Sequence, residues 1–396
     1  MKIHIALVSD QVLANLIPAL MDHPDLVVLA CSRDMAGKGL DKRLAQLLVP
    51  ASIRVEIEPE APDVGLSQIQ SFAERLAQRI RAAHPRAEVV LNATGGTKLM
   101  SLGFVEVFRS HADRILYTDT AHGRIEYLPV GRGTVPHPVP MSNVLDVPAY
   151  LAAQGFVFQA AVSDDRAWRE AAARRRNLAG YLARNMVQFQ RFIGVLNALA
   201  GNALERDPGT WTERLANPRQ RLREVPFGPM DRILTELSTF GLIDWDPGDR
   251  DLYFRTTEAA RFVRGGWLEE HAWDVLHTAG LHDTRLGVTG HWEGAPRSLN
   301  ELDVLGCHLN QLLFIECKTL SFQEGNDNEI AYKLDSLSTD ARGLFGATWL
   351  LSAREPSQVL SERARQARIR IIGPQDLPRL AQAVTEWMRG PPRPVR

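Results

Sequence analysis

The sequence predicts an α/β protein built from three successive regions. At 396 residues the chain is long enough for two or three domains. In residues 1–147 short apolar runs alternate with helical patterns, which indicates a parallel sheet with crossover helices. Residues 148–264 are mainly helical in pattern, and residues 265–396 mix strand and helix patterns. We therefore expect a parallel-sheet domain, a helical linker region and a mixed α/β domain.

The composition is that of a globular protein. Hydrophobic residues make up 45% of the chain, charged residues 23%, and the formal net charge is -1, so a disordered or globally basic protein is excluded. Three cysteines, Cys31, Cys307 and Cys317, lack a paired metal spacing, and their odd number suits a reducing compartment. No apolar run reaches the roughly 18 residues of a membrane span, and no signal-peptide pattern is present. The sequence therefore predicts a cytoplasmic protein without membrane contact.

The first region has the elements of a parallel sheet. Strand patterns cover residues 3–8, 26–32, 53–59 and 88–94, with a helical pattern over residues 66–84. After Thr94 a turn leads into a further helix, and we expect Leu99, Leu102, Val105, Val107 and Phe108 to form its buried stripe. Residues 131–148 are rich in Pro and Gly, which favours a domain boundary there.

The second region predicts one or two long helices within residues 166–204, followed by a small winged-helix-like unit. Three consecutive arginines at residues 174–176 are expected to form a solvated face. Pro229 suits the first turn of a helix that Gly241 ends, and a turn at residues 246–249 separates two short strands. Such a unit either contacts DNA or connects domains, and we favour the connector.

The third region alternates strands and helices. Helical patterns cover residues 267–280, 329–337, 357–367 and 377–388, and strand patterns cover 284–289, 302–306, 312–318, 347–352 and 368–372.

Two predicted strand ends of the first region carry polar side chains suited to a ligand. The string NATGGTKLM joins a strand to a helix, where free amides and the helix dipole attract phosphate, and it matches neither a Walker A loop nor G-x-G-x-x-G. The other strand end shares the same sheet edge. The candidate ligand-binding residues are Thr94, Gly95, Gly96, Thr97, Lys98, Ser9, Asp10, Gln11 and Asn15. The alternative is a plain glycine turn with an incidental lysine.

These strings, VSDQVLANLIPAL and LNATGGTKLM, together with the order of elements, resemble the Rossmann-like CARF domain. The resemblance covers about the first 145 residues. It implies a homodimer that binds a cyclic oligoadenylate across its two-fold axis. It also implies that residues 9–11 and the loop of residues 94–98 hold phosphates, riboses and adenines.

A predicted hairpin in the third region brings two carboxylates and a lysine together. If the turn centres on Leu309 and Asn310, Asp303 lies opposite Glu316, and Lys318 follows on the same face. Burying this cluster in apolar strands is costly unless a cation sits between the carboxylates, and oxygen ligands favour Mg²⁺ or Mn²⁺.

The side chain of the intervening Cys317 points to the opposite face, so that only its backbone carbonyl is a candidate ligand beside Asp303 and Glu316. Such a site suits phosphodiester hydrolysis, with Lys318 orienting or deprotonating the water. An ordinary ion pair between Glu316 and Lys318 on an exposed strand is the alternative.

The pattern of Asp303, Glu316 and Lys318 resembles the PD-(D/E)XK nuclease superfamily, whose fold is that of the restriction endonucleases, although Leu302 stands where the signature has Pro. The resemblance implies a third carboxylate on the preceding helix. Glu269 is favoured for it and Glu270 is its competitor. Lys333 either contacts the scissile phosphate or is a surface residue.

Over nearly its whole length the sequence resembles the CRISPR ancillary nucleases of type III systems. This implies an allosteric homodimer in which cyclic tetra-adenylate activates nonspecific, metal-dependent cleavage of DNA or RNA. One alternative is a cyclic-oligonucleotide-responsive transcription regulator that uses the winged helix and has an inert last domain. Another is a ring nuclease that degrades its own ligand, generally without a metal.

Overall fold

The protein is described here by a computed structural model. It describes residues 1–120, 122–131, 134–207, 212–319, 341, 343 and 345–390. The predicted helix at residues 329–337, with Lys333, lies outside the described residues.

The described residues form two large sheets, of seven and six strands, and a helical region that carries two small sheets. The helices are α1 (Val12–Asp22), α2 (Arg33–Gly37), α3 (Leu40–Leu48), α4 (Leu66–Ala83), α5 (Lys98–Phe108), α6 (Val147–Ala153), α7 (Arg166–Arg184), α8 (Met186–Ala203), α9 (Pro229–Thr239), α10 (Thr257–Arg261), α11 (Trp267–Ala279), α12 (Gln358–Gln366) and α13 (Leu380–Arg389). The strands are β1 (Lys2–Leu7), β2 (Leu26–Ala30), β3 (Arg54–Glu58), β4 (Glu88–Asn92), β5 (Arg114–Asp119), β6 (Arg124–Leu128), β7 (Val139–Pro140), β8 (Phe156–Ala161), β9 (Leu204–Arg206), β10 (Glu213–Leu215), β11 (Arg219–Arg221), β12 (Ile243–Asp244), β13 (Asp251–Phe254), β14 (Asp283–Trp292), β15 (Asn300–His308), β16 (Gln311–Lys318), β17 (Ala347–Ser352) and β18 (Ile369–Ile372).

The N-terminal sheet has the strand order β3-β2-β1-β4-β5-β6-β7. Its first five strands run parallel, and β6 and β7 close the edge antiparallel. Strands β1, β2 and β4 are almost wholly buried because helices cover both faces, which is why they appear in the sequence as continuous apolar runs. The predicted parallel sheet is confirmed.

The predicted buried stripe of α5 is confirmed at Phe108 and is wrong at Leu99 and Leu102. Met100, Phe104 and Phe108 are buried, whereas Leu99 is 37% and Leu102 is 64% exposed. The two phenylalanines stack with ring centroids 5.9 Å apart and fix which side of the helix faces the sheet. An apolar strip of α5 is therefore left on the surface.

The C-terminal sheet has the order β18-β17-β16-β15-β14-β8. Its hairpin of β15 and β16 pairs His308 with Gln311 and turns at Leu309 and Asn310, both in the left-handed region with φ of 47° and 60°. This is the predicted register. Strand β8, which lies inside the predicted linker region, pairs antiparallel with β14 as the edge strand.

The helical region packs tightly against the C-terminal sheet. Helices α7 and α8 are followed by α9 and the three-stranded sheet β11-β13-β12, which forms the winged-helix-like unit. The expectation of a solvated arginine face holds for Arg174 and Arg176, which are exposed, and fails for Arg175. Arg175 forms a buried pair with Glu270 because α7 lies alongside α11, and Arg176 pairs with Asp274 at the surface.

Asn310 connects the hairpin of β15 and β16 to the end of the N-terminal domain. Its Oδ1 accepts hydrogen bonds from the backbone amides of Val144 and Leu145 at 3.0 and 3.1 Å, and its Nδ2 donates to the carbonyl of Ser142 at 2.7 Å. A single hydrophobic core runs through this junction. Among the described helices, none is long and apolar enough to cross a membrane.

Candidate functional sites

Three of the predicted catalytic residues converge at the ends of β15 and β16. Lys318 Nζ lies 2.5 Å from Glu316 Oε1, and the backbone amide of Cys317 donates to Asp303 Oδ2 at 2.7 Å. The paired register of Val304 with Ile315, continued by one residue, places Asp303 opposite Glu316. The sequence-based arithmetic therefore predicted the arrangement that the structure has.

Helix α11 supplies one further carboxylate to this cluster, and it is Glu269. The charge of Glu269 acts on Asp303, while its neighbour Glu270 is turned away into a two-pronged pair with Arg175, at 2.6 and 3.1 Å. Glu270 is 8% exposed and has its counter-charge already. Of the two candidates, Glu269 is the one placed at the cluster.

The cluster carries more negative charge than it can balance. Burial, reinforced by Glu316 and Glu269, raises the pKa of Asp303 well above its usual range. Burial also raises the pKa of Glu269 to about 7, with contributions from Glu301 and Glu316. Burial alone would lower the pKa of Lys318, but Glu316 and Asp303 outweigh it and raise that pKa. One ammonium thus faces at least three carboxylates.

Glu301 is a residue that the sequence analysis missed. It lies on β15 two residues before Asp303, hence on the same strand face, and it is exposed. Its charge acts on Glu269. The period of two residues along β15 was the available signal, because it places every second side chain on the face of Asp303.

The donor set fits a hard divalent cation. Carboxylate oxygens of Asp303, Glu316 and Glu269 are the ligands that Mg²⁺ and Mn²⁺ favour. A cation would offset the burial and the repulsion that raise the pKa values of Asp303 and Glu269. Within the described ranges no three acidic, His or Cys side chains already surround one point. Glu316 is turned to Lys318, and Asp303 to the amide of Cys317. The side chain of Cys317 is buried, as expected, and burial raises the pKa of its thiol.

At the N-terminal sheet edge, two candidate ligand residues, Asn15 and Thr94, form hydrogen bonds inside the loop that follows β4. The amide of Asn15 donates to the carbonyl of Leu7 at 2.7 Å and its Oδ1 accepts from Asn92 at 3.0 Å. Thr94 Oγ1 donates to Asn92 Oδ1 at 2.7 Å and accepts the amide of Thr118. Asn15 and Thr94 therefore use these polar groups to hold the loop in shape.

The glycines and Thr97 shape the start of α5. A Cβ on Gly95 would overlap the carbonyl oxygen of Leu7, so that only glycine permits this close packing, and Gly96 has a positive φ of 70°. Thr97 caps α5 by accepting the amide of Met100 at 3.2 Å. Capping leaves the first amides of the helix directed outward.

The accessible groups at this edge are polar and charged. Lys98 is exposed and makes no ion pair with any residue that the structure describes, and Ser9 and Gln11 are partly exposed. Asp10 is exposed but pairs with Lys38 at 3.2 Å, a lysine that the sequence analysis did not select. Lys38 thus adds a second cation beside the predicted ligand residues.

The folds and the two sites define a protein that joins a Rossmann-like sensor domain to a nuclease domain. Residues 3–150 match the family model of the Card1 CARF domain, and residues 256–390 match that of the Card1-like endonuclease domain. Together the two matches cover most of the chain. It belongs to the CRISPR ancillary nucleases that combine a CARF domain with a Card1-like endonuclease domain. No curated protein matches the sequence.

Solved structures share this fold. Protein VC1899 from Vibrio cholerae is 23% identical, with a TM-score of 0.83 and 98% of both chains covered. Can2 from Sulfobacillus thermosulfidooxidans, solved in complex with cyclic tetra-adenylate, is 24% identical, with a TM-score of 0.75 over 98% of this chain and 100% of that one. A type III CRISPR defence DNA nuclease activated by cyclic oligoadenylate is 19% identical, with a TM-score of 0.55 over 90% of this chain and 46% of that one.

Proposed function

We propose that the chain is a metal-dependent nuclease that cyclic tetra-adenylate activates. The main support is that four side chains lie close together at the strand ends of the region that matches the endonuclease family. These are Asp303, Glu316, Lys318 and Glu269. The raised pKa values of Asp303 and Glu269 beside a single ammonium are typical of a functional site.

In this proposal each side chain has a distinct task. Asp303 and Glu316, and the backbone carbonyl of Cys317, would hold Mg²⁺ or Mn²⁺, which supplies positive charge to the phosphate and lowers the pKa of water. Lys318 positions the attacking water and offsets charge on the phosphate. Glu269, with a pKa raised to about 7, is suited to accept the proton of that water near neutral pH.

The proposed activator site is the edge formed by residues 9–11, the loop of residues 94–98 and the start of α5. Lys98 provides a cation, and the outward amides of α5 provide donors for phosphate, whereas Lys38 is already paired with Asp10 and Asp34. Can2, which has this fold, was solved with cyclic tetra-adenylate. We extend that ligand to this chain.

We also propose a homodimer through the exposed strip of α5. Leu102 is 64% exposed one turn beyond Lys98, and Leu99, Val64 and Leu66 are exposed near it. An apolar strip beside a ligand site suits a second copy of the chain, because a cyclic ligand could then contact both copies. The substrate would be DNA or RNA without sequence preference, and the protein would act in the cytoplasm.

One experiment tests the proposed activity and its activation. The purified protein is incubated with Mn²⁺, supercoiled plasmid and labelled single-stranded RNA, with and without cyclic tetra-adenylate, beside a Glu316→Ala/Lys318→Ala variant. Cleavage that requires both ligand and metal, and that the variant lacks, is the expected result. Tight ligand binding without cleavage would favour the winged-helix regulator, and metal-independent loss of the ligand itself would favour the ring nuclease.

A further inference from the structure

Thr319, which directly follows Lys318, connects three elements around the candidate active site. Its side chain is buried, and its hydroxyl accepts a hydrogen bond from Asn197 Nδ2 on α8 at 3.0 Å. The same hydroxyl donates to the carbonyl of Arg264 at 3.3 Å. One side chain thus contacts the end of β16, the middle of α8 and the turn that precedes α11.

The turn before α11 is shaped to admit this hydroxyl. A Cβ on Gly265 would lie 2.8 Å from Thr319 Oγ1, which is closer than real Cβ contacts allow, so that a larger residue there would displace the hydroxyl. Glu269 lies in the first turn of α11, just beyond this glycine. The Thr319 hydroxyl therefore joins the backbone that carries Lys318 to the backbone that carries Glu269.

Asn197 holds the hydroxyl in this orientation. It is 2% exposed, and its Oδ1 is buried without a hydrogen-bond partner among the residues that the structure describes. A buried amide oxygen without a partner costs about 1–3 kcal/mol, whereas a leucine of similar size would avoid that cost. Stability alone therefore does not explain an asparagine here, but its Nδ2 bond to Thr319 does.

We propose that Thr319 is a positioning residue for phosphodiester cleavage, and that Asn197 acts through it. The Thr319 hydroxyl sets the spacing between Glu269 on α11 and the pair of Glu316 and Lys318 on β16. This inference rests on the proposed nuclease function. It does not require Thr319 to touch the substrate or a metal ion.

The expected signature is a loss of rate without a loss of substrate binding. A catalytic group displaced by about 1 Å can lower the rate by about 100-fold. We expect Thr319→Val, which keeps the shape and removes the hydroxyl, to lower kcat by about 10- to 100-fold with KM little changed. Thr319→Ser restores the hydroxyl and is expected to recover most of the rate. Asn197→Leu keeps the Thr319 hydroxyl but removes the hydrogen bond that Asn197 donates to it, so that a smaller loss of kcat is expected.

The test compares these three variants with the wild type and with Thr348→Val. Thr348 is a matched control, because it is buried in neighbouring β17 and its hydroxyl has no partner in the described part of the chain. The measurements are kcat and KM for Mn²⁺-dependent cleavage with saturating cyclic tetra-adenylate, binding of that ligand, and thermal unfolding.

The inference is supported if kcat falls in Thr319→Val, recovers in Thr319→Ser and keeps its wild-type value in Thr348→Val. If Thr319→Val does not fold, Asn197→Leu decides, since a native unfolding temperature with unchanged kcat overturns the inference. Wild-type kcat in Thr319→Val overturns it while leaving the nuclease proposal intact. A wild-type protein that cleaves nothing defeats the nuclease proposal, and this inference with it.

Discussion

Two neighbouring glutamates on α11 should respond in opposite ways to the same conservative substitution. Glu269 lies at the carboxylate cluster, and Glu270 is paired with Arg175 in the interior. We predict that Glu269→Gln removes activity and stabilises the fold near pH 8. We predict that Glu270→Gln destabilises the fold and leaves the chemistry of the site intact.

The size of the stability gain expected from Glu269→Gln follows from the pKa of Glu269. Burial, and then the charges of Glu301 and Glu316, raise this pKa from 4.5 to about 7. Because the folded state holds this proton more tightly, stability is greatest below pH 4.5 and falls as the pH rises to about 7. At pH 8 the ionised glutamate costs up to about 3 kcal/mol. Glutamine is neutral at every pH, so that the gain from Glu269→Gln should be present at pH 8 and largely absent at pH 5.

The size of the stability loss expected from Glu270→Gln follows from the geometry of the ion pair between Glu270 and Arg175. Both side chains are at most 14% exposed, and two hydrogen bonds join them. Removing one charge leaves the other buried and uncompensated, which costs about 3–5 kcal/mol. We expect the lower end of that range for Glu270→Gln, because the amide oxygen still accepts one hydrogen bond from Arg175.

Urea unfolding at pH 5 and pH 8, combined with plasmid cleavage in Mn²⁺ and cyclic tetra-adenylate, measures both effects. Cleavage by Glu269→Gln should fall by about 100-fold or more, the usual contribution of a general acid or base. The matched control is the other variant, since the two differ by one position. The assignment is wrong if Glu270→Gln loses activity at native stability while Glu269→Gln remains active.

Three further predictions concern the N-terminal domain and its junction. Gly95→Ala should lower the affinity for cyclic tetra-adenylate at least tenfold and reduce the unfolding temperature, because the new Cβ would overlap the carbonyl of Leu7. Calorimetry measures the affinity and thermal unfolding the stability, and wild-type values for both would contradict this prediction. Lys98→Ala should lower that affinity by about 10- to 100-fold, as expected for one charge-assisted contact, with unchanged stability; unchanged affinity would remove Lys98 from the site. Asn310→Ala should destabilise the protein by about 2–4 kcal/mol, since three hydrogen bonds to the domain junction are lost; a shift below the error of a urea titration would show that the junction is held by other contacts.

The two main sheets and the pairing of Asp303 with Glu316 follow from the amino-acid sequence alone. Buried parallel strands produce continuous apolar runs, and the carboxyl ends of such strands share one edge, so that the NATGGTKLM turn is predicted to lie beside residues 9–11. The hairpin register follows from the strand period of two residues and a short turn. That arithmetic pairs Asp303 with Glu316, and the observed register agrees with it.

Which side chains are free to act depends on packing between distant elements. Glu269 and Glu270 are neighbours with similar helical context, and the choice between them depends on Arg175, which lies far away in sequence. Asn15 is a candidate ligand group by sequence, yet its amide is used by Leu7 and Asn92.

The face of α5 and the placement of β8 were also settled only in three dimensions. Phe104 stacks on Phe108 in the buried face of α5, and Leu99 and Leu102 of the predicted stripe lie on the surface. Strand β8 pairs with β14, in a sheet whose other strands lie more than a hundred residues later in the chain. The physical reason is common to all these cases. Sequence periodicity reports which residues of one element share a face, whereas burial, ion pairing and hydrogen bonding depend on which distant element packs against that face.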